Sequence, residues 1–244
     1  MKKYKVKEIH ERTVQGEGAN AGLPITLVRF AGCNIWSGRE QDREKAANKG
    51  MCALWCDTDF RGTDGNKGGS YSRAELVDAI KMSFDKPQPS VKGNSLSKGA
   101  VMFTGGEPTL QLDYELLVEL MEWDIDVLIE TNGTQKIDFA YKAANAASLF
   151  GGGNLWVTIS PKPPAPISEF FATHRFDELK LVYDKQNVDP QDYVDLYATH
   201  RYLQPLDSHD VEINCDNVKH TLLYVAENPL WRMGLQSHKI WNAP

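Results

Sequence analysis

From Ala100 onward the chain keeps one rhythm of element types: a short apolar run, a polar cluster, then a stretch with helical spacing. The runs "AVMF", "DVLIE", "LWVTIS", "ELKLVY", "RYLQP" and "WRMGLQ" have strand length. Helices are predicted between them, over Leu112–Trp123, near Ile137–Ala147, Pro190–Ala198 and Asp216–Glu227. A helix between two strands returns the chain to the same end, so the strands lie parallel and covered on both faces. Upstream, "KYKVKEIHE" and "PITLVRF" read as strands and "REQDREKAAN" as a polar helix. Ser72 and Glu75 form a capping box for a helix through about Phe84. "RGTDGNKGGS" and "KPQPSVKGNSLSKG" read as loops. No internal repeat or linker interrupts the pattern, so residues 1–244 are expected to form a single α/β domain.

Each strand leads into a polar cluster: "TGGEP", "ETNG", "SPK", "QPLD" and "QSHK". Parallel α/β folds bind ligands at the carboxyl ends of their strands. The five clusters are therefore expected on one face. Turns are polar in any protein, but five clusters carrying Ser, Lys, Glu, Gln and His exceed what turns require.

A formal net charge of −6 argues against a non-specific nucleic-acid binder, which needs a basic footprint. No apolar run is long enough for a bilayer, and no apolar segment follows the basic start as in a signal peptide. Four cysteines in 244 residues are no disulfide scaffold. The expectation is a cytoplasmic protein in a reducing compartment, with thiolates available to metal.

Three of those cysteines, Cys33, Cys52 and Cys56, lie within 24 residues, with a polar insertion at about 34–51 between the first two. Cys52 and Cys56 are four apart and share a face on a helical turn. Three thiolates can hold three corners of a 4Fe-4S cubane and leave the fourth iron open. Buried free thiols and a zinc site with an added histidine are the alternatives, though no histidine lies nearby in sequence.

Cys52, Trp55 and Cys56, together with "TGGEP" at Thr104–Pro108, resemble the radical S-adenosylmethionine superfamily. Within it the chain is similar, over nearly its whole length, to the 7-carboxy-7-deazaguanine synthases. The matching segments are "TVQGEGANAGLPITLVRFAGCNIWSGRE", "CDTDFRGTDG", "ETNGT", "SPK", "QPLD" and "QSHKIWNAP". The resemblance implies a modified, incomplete α/β barrel, often a homodimer. It implies a 4Fe-4S cluster on Cys33, Cys52 and Cys56, S-adenosylmethionine, a magnesium ion on Thr58 and an electron-donor protein. The implied reaction is a carbon–nitrogen lyase step in queuosine and deazapurine biosynthesis. A 5′-deoxyadenosyl radical takes hydrogen from C6 of 6-carboxy-5,6,7,8-tetrahydropterin, the ring contracts and ammonia leaves. The spacing departs from the family, with eighteen residues between the first two cysteines and three between the last two.

The resemblance places the substrate against Val14, Gln15, Gly16, Glu17, Arg29, Thr104, His238 and the terminal carboxylate of Pro244. It places S-adenosylmethionine against Trp55, Asp57, Gly105, Gly106, Glu107, Ser160, Pro161, Lys162, Gln204, Pro205, Leu206 and Asp207. The residue types allow this chemistry, since Arg29 can grip a carboxylate with a two-pronged fork. The glycines would let backbone approach the methionine amino group. The plainer alternatives are a structural ion pair for Arg29, a capping residue for Thr58, and surface positions for Lys162 and His238. Glu107 is expected as a hydrogen-bonding support, and Cys215 is given no role. Two other functions compete: an activase that makes a glycyl radical on another protein, and a zinc-bound interaction module.

Overall fold

The structure is a computed structural model that describes residues 2–48, 56–84, 86–92, 96–208 and 210–241. Cys52, Trp55 and Pro244 lie outside the described residues, as does the end of the insertion after Cys33. The strands are β1 (Tyr4–Val14), β2 (Pro24–Phe30), β3 (Gly69–Tyr71), β4 (Gln88–Pro89), β5 (Leu96–Ser97) and β6 (Gly99–Gly105). They continue with β7 (Ile125–Thr131), β8 (Leu155–Ile159), β9 (Phe176–Tyr183), β10 (Ala198–Pro205) and β11 (Arg232–Met233). The helices are α1 (Glu40–Asn48), α2 (Arg73–Lys81), α3 (Tyr114–Glu122) and α4 (Asp138–Ser148). They are followed by α5 (Phe170–Thr173), α6 (Val211–Glu227) and α7 (Ser237–Trp241).

Among the described residues nine strands form one sheet in the order β11-β10-β9-β8-β7-β6-β2-β1-β3. From β2 to β11 neighbours are parallel, as crossover connections require. β1 and β3 add antiparallel pairs at one edge. The sheet has two different edges and does not close, so the fold is an incomplete α/β barrel.

The period of two along each strand sorts the side chains into two environments. Val28, Phe30, Val101, Phe103, Val127, Ile129, Val157 and Ile159 join Leu116, Leu117, Leu120 and the alanines of α4 in the main core. The alternate positions face the other way. At the amino-terminal half of the strands Ile25, Leu27, Ala100, Met102, Leu128 and Trp156 form a smaller apolar cluster. One or two steps further along, the same face carries Arg29, Thr104, Glu130, Thr158, Glu178, Lys180 and Gln204. An apolar floor thus lies beneath a polar layer at the carboxyl ends.

Local signals set most boundaries. Ser72 caps α2 with the reciprocal Glu75 bond. The helix ends at Lys81, short of Phe84, because the Ser83 hydroxyl turns back to the Ile80 carbonyl and lies 2.5 Å from Thr26 Oγ1. The loop expected over 86–99 contains the short β4–β5 pair. The helix expected over Pro190–Ala198 is only a 3-10 turn at Pro190–Tyr193. Tertiary pairing overrides it, since Ala198 is already extended against Phe176 in β9. α6 starts five residues earlier than expected, at Val211, because the Asp210 carboxylate caps the amides of Glu212 and Ile213.

Candidate active site

All five polar clusters open into one cavity of about 420 Å³. Thr104, Glu130, Ser160, Lys162 and Gln204 enter it from β6, β7, β8 and β10, and Gln236 and His238 from the start of α7. Val14, Gln15, Gly16 and Glu17 reach it from the turn after β1, and Arg29 from β2. Asp57 and Thr58 complete the wall beside Cys56. A smaller chamber of about 80 Å³ is lined by Cys33, Cys56, Gly105, Gly106, Thr131 and Asn132. The two spaces share Cys56, Thr58, Thr104, Glu130, Ser160 and Lys162.

The smaller chamber has the chemistry of a cluster site. Cys33 Sγ accepts the Ile35 amide at 3.4 Å. Burial pushes the Cys33 thiol up, and the Ile35 and Trp36 amides only partly oppose it. A thiolate there calls for a metal to hold it. Two soft donors in an aromatic pocket with Trp36 and Phe60 fit an iron–sulfur cluster. Among the described residues no three metal-ligating side chains are grouped, and a three-thiolate set needs Cys52, which lies outside them.

The glycines that line the chamber also pack closely against the chain itself. A Cβ on Gly106 would lie 2.2 Å from the Gly32 carbonyl oxygen and 2.7 Å from Cys33 Cβ. One on Gly105, whose φ is 147°, would lie 2.4 Å from the Phe30 carbonyl oxygen. The cysteine loop thus backs Gly106 and the end of β2 backs Gly105, and the Glu107 amide donates to the Gly32 carbonyl at 2.9 Å. The Glu107 carboxylate is fully buried and committed. It accepts from Thr131 Oγ1 at 2.7 Å, the Asn132 amide at 2.8 Å and the Thr109 amide at 3.0 Å. It is a strut between β6 and β7. Asn132 Nδ2 donates to Asn34 Oδ1 at 3.1 Å, and Asn34 Nδ2 to Thr134 Oγ1 at 2.8 Å, so the strut reaches the Cys33 loop.

The larger cavity is ruled by paired charges. Lys180 Nζ donates to both Glu17 and Glu130. Gln204 and Gln236 donate to Glu17 Oε1 at 3.1 and 3.3 Å, and His238 Nδ1 lies 3.9 Å from it. Burial would raise the Glu17 carboxyl, but the Lys180 ammonium holds it well below the usual range. Burial would likewise strip Lys180 of its proton, and the two carboxylates hold the proton on more firmly than usual. Lys162 goes the other way: burial and the nearby Lys180 push its ammonium down, and its Nζ donates to Ser160 Oγ at 2.8 Å. Arg29 Nε donates to Glu8 Oε1 at 2.8 Å, with His10 on the other oxygen at 3.2 Å, so the fork stands in the cavity wall with an ion-pair partner.

Other expected residues stand beside the cavity without lining it. Asp207 clasps Lys239 and accepts from Asn214 Nδ2 at 2.8 Å, tying α7 to α6. The Leu206 amide donates to the Tyr183 carbonyl, and Pro161 and Pro205 are likewise not lining residues. Lys180, Glu130, Glu8 and Gln236 line the cavity and were not assigned by sequence reasoning. For Lys180 a signal exists: "ELKL" puts Glu178 and Lys180 at alternate positions of an otherwise apolar strand.

No family model matches the chain. The chain is 38% identical over 242 residues to the 7-carboxy-7-deazaguanine synthase of Bordetella pertussis, covering 99% of both chains. The corresponding synthases of Caulobacter vibrioides and Nitratidesulfovibrio vulgaris are 36% and 38% identical, again over 99% of both chains. The chain belongs to the 7-carboxy-7-deazaguanine synthase family. A crystal structure of QueE from Escherichia coli shares the fold, with a TM-score of 0.62 at 23% identity over 97% of this chain and 95% of that one. As a member of this family the chain is an enzyme of the radical S-adenosylmethionine type. Among the described residues no helix is long and apolar enough to cross a membrane.

Proposed function

We infer that this family member makes 7-carboxy-7-deazaguanine from 6-carboxy-5,6,7,8-tetrahydropterin with loss of ammonia, as a carbon–nitrogen lyase of deazapurine biosynthesis. The observation that carries the reading is a thiol-lined chamber that shares six wall residues with a charged cavity at the carboxyl ends of the strands. One-electron reduction and hydrogen abstraction at C6 are what a 4Fe-4S cluster with S-adenosylmethionine supplies when bound. Cys33, Cys52 and Cys56 would hold the cluster. Gly105, Gly106, Ser160, Lys162 and Gln204 would bind S-adenosylmethionine.

Glu17 is kept ionised and so acts only as an acceptor, which suits the N–H edge of a pterin. Arg29 would exchange or share its bond to Glu8 for the substrate carboxylate, and His238 closes the same wall. Thr58 offers the hard oxygen that magnesium prefers. An electron-donor protein and a cytoplasmic setting belong to the same reading. Anaerobic incubation of the reconstituted enzyme with the carboxypterin, S-adenosylmethionine and a reductant is expected to yield the deazapurine. Deoxyadenosine without the deazapurine would point to an activase, and zinc without iron or sulfide to an interaction module.

The partner proposed for the exposed face of α6 is a second copy. Val211, Val218, Leu222 and Leu223 are all exposed there. Val211, Cys215, Val218 and Leu222 follow the alternating four–three spacing of a helix–helix seam. Glu212 and Lys219 flank the seam seven residues apart, so an antiparallel two-fold pairing sets each near its opposite sign on the other copy. Leu222→Glu is expected to give monomers in sedimentation at concentrations where the parent is dimeric. A dimer of unchanged affinity would remove this face from consideration.

A further inference from the structure

The turn after β1 carries Gln15, Gly16 and Glu17 into the cavity, yet it is a surface connection that reverses through a 3-10 turn at Gly18–Asn20. A site of fixed geometry needs that turn seated. β9 reaches it with two side chains from alternate positions on one face. Lys180 takes the Glu17 carboxylate. Two residues before it, Glu178 Oε2 accepts the Ala19 amide at 2.7 Å, while Oε1 lies 3.4 Å from Thr158 Oγ1. Glu178 is buried and does not line the cavity. The fit to the turn is tight: Gly18 has φ 67°, and a Cβ there would lie 2.2 Å from Glu178 Oε1. Burying a carboxylate is costly unless it is hydrogen-bonded, and the Ala19 amide supplies that bond here.

We propose that Glu178 is a positioning residue that sets the place of the 15–19 turn through the Ala19 amide, and so the reach of Glu17 toward substrate. The clause about substrate rests on the function inferred above; the anchoring of the turn does not. The anchor is also pH-sensitive. The groups facing Glu178 are the Ala19 amide and Gly18 from the turn, Thr158 from β8, Glu130 from β7 and Lys180 on its own strand. Burial pushes its carboxyl up to about 7, with Glu130 adding to the rise and Ala19 and Lys180 opposing it. A protonated carboxyl is a weaker acceptor for an amide, so the turn loosens as pH falls below about 7.

Amide hydrogen exchange over residues 15–23 tests this in the full-length holoenzyme, on both sides of pH 7 and corrected for intrinsic exchange. Glu178→Ala should speed exchange at Ala19 by about tenfold, as loss of one charge-assisted bond implies, with the rest of the sheet unchanged. Its KM for the carboxypterin should rise by a similar factor while kcat and iron content hold. Glu178→Gln, a neutral acceptor like the protonated carboxyl, should hold exchange at Ala19 near the parent's level at the lower pH and lose its pH dependence. Parent-like exchange and KM in Glu178→Ala would overturn the proposal, as would faster exchange throughout the sheet. Should Glu178→Ala not fold, Gly18→Ala forces the same separation from the turn side, and unchanged protection there would overturn it equally. If the parent enzyme turns over no carboxypterin, the function reading fails while the exchange data still decide the anchor.

Discussion

Lys180→Met is expected to destabilise the enzyme by about 3–5 kcal/mol, because it leaves two buried carboxylates without their cation. Lys180 keeps only 4% of its side chain exposed, and Glu17 and Glu130 keep 13% and 20%. The remaining donors to Glu17 are the neutral amides of Gln204 and Gln236. The pH dependence has a definite sign. In the parent, Glu17 is depressed, so its contribution is present above the ordinary carboxylate value of 4.5 and lost as pH falls through the folded value. Lys180 is raised, so its contribution is present below its ordinary 10.5 and lost as pH rises through the folded value. Between those limits the parent's triad adds little slope. In the variant, buried carboxylates without a cation rise toward neutral pH, as Glu178 already does. The folded variant then binds more protons than its unfolded chain, so its stability should fall as pH rises from about 5 to about 8. Urea unfolding at both pH values checks this. A loss of under about 1 kcal/mol, or one that shrinks toward alkaline pH, would mean that Lys180 does not neutralise the pair.

What the sequence discloses here follows the range of the interaction involved. β2 is legible residue for residue, and the Ser72–Glu75 capping box is legible as text, because both depend on neighbours within a few positions. The convergence of the five clusters is legible too, since strand–helix alternation already places every strand's carboxyl end on one side. Pairings across strands are not. Arg29 meets Glu8 only because β1 and β2 align these two residues next to an irregularity in the β1 register. Lys180 advertises itself as a charge in an apolar strand, but its partners come from 163 and 50 residues away. The helix expected after Pro190 fails for the same reason, since the pairing of Ala198 with Phe176 outweighs local propensity. The glycine motif is the instructive case: its text suggests an open approach for a ligand, and does not disclose that the Cβ side of Gly106 packs against Gly32 and Cys33.

That backing is why Cys33→Ser should be the cleanest loss of function in the protein. The serine is nearly isosteric, and the Cys33 loop is held by bonds that do not involve the sulfur: Glu107 N to Gly32 O at 2.9 Å, Asn132 to Asn34, and Asn34 to Thr134. Gly32 N also donates to the Phe60 carbonyl at 3.0 Å. The fold should therefore lose no more than about 1–2 kcal/mol, the cost of a buried hydroxyl in place of a thiol. A hard oxygen is a poor substitute for a soft thiolate toward iron, so reconstituted protein should carry less iron and sulfide and form no detectable deazapurine. Cys215 supplies the control. It is exposed on α6, away from both chambers, and Cys215→Ser should leave iron content and turnover at parent levels. Iron and sulfide analysis beside a thermal melt separates the outcomes. Full cluster content and turnover in Cys33→Ser would take Cys33 out of the ligand set. Lost turnover with a collapsed melting transition would instead make the thiol a packing residue, and the strut from Glu107 through Asn132 to Asn34 too weak to hold the loop on its own.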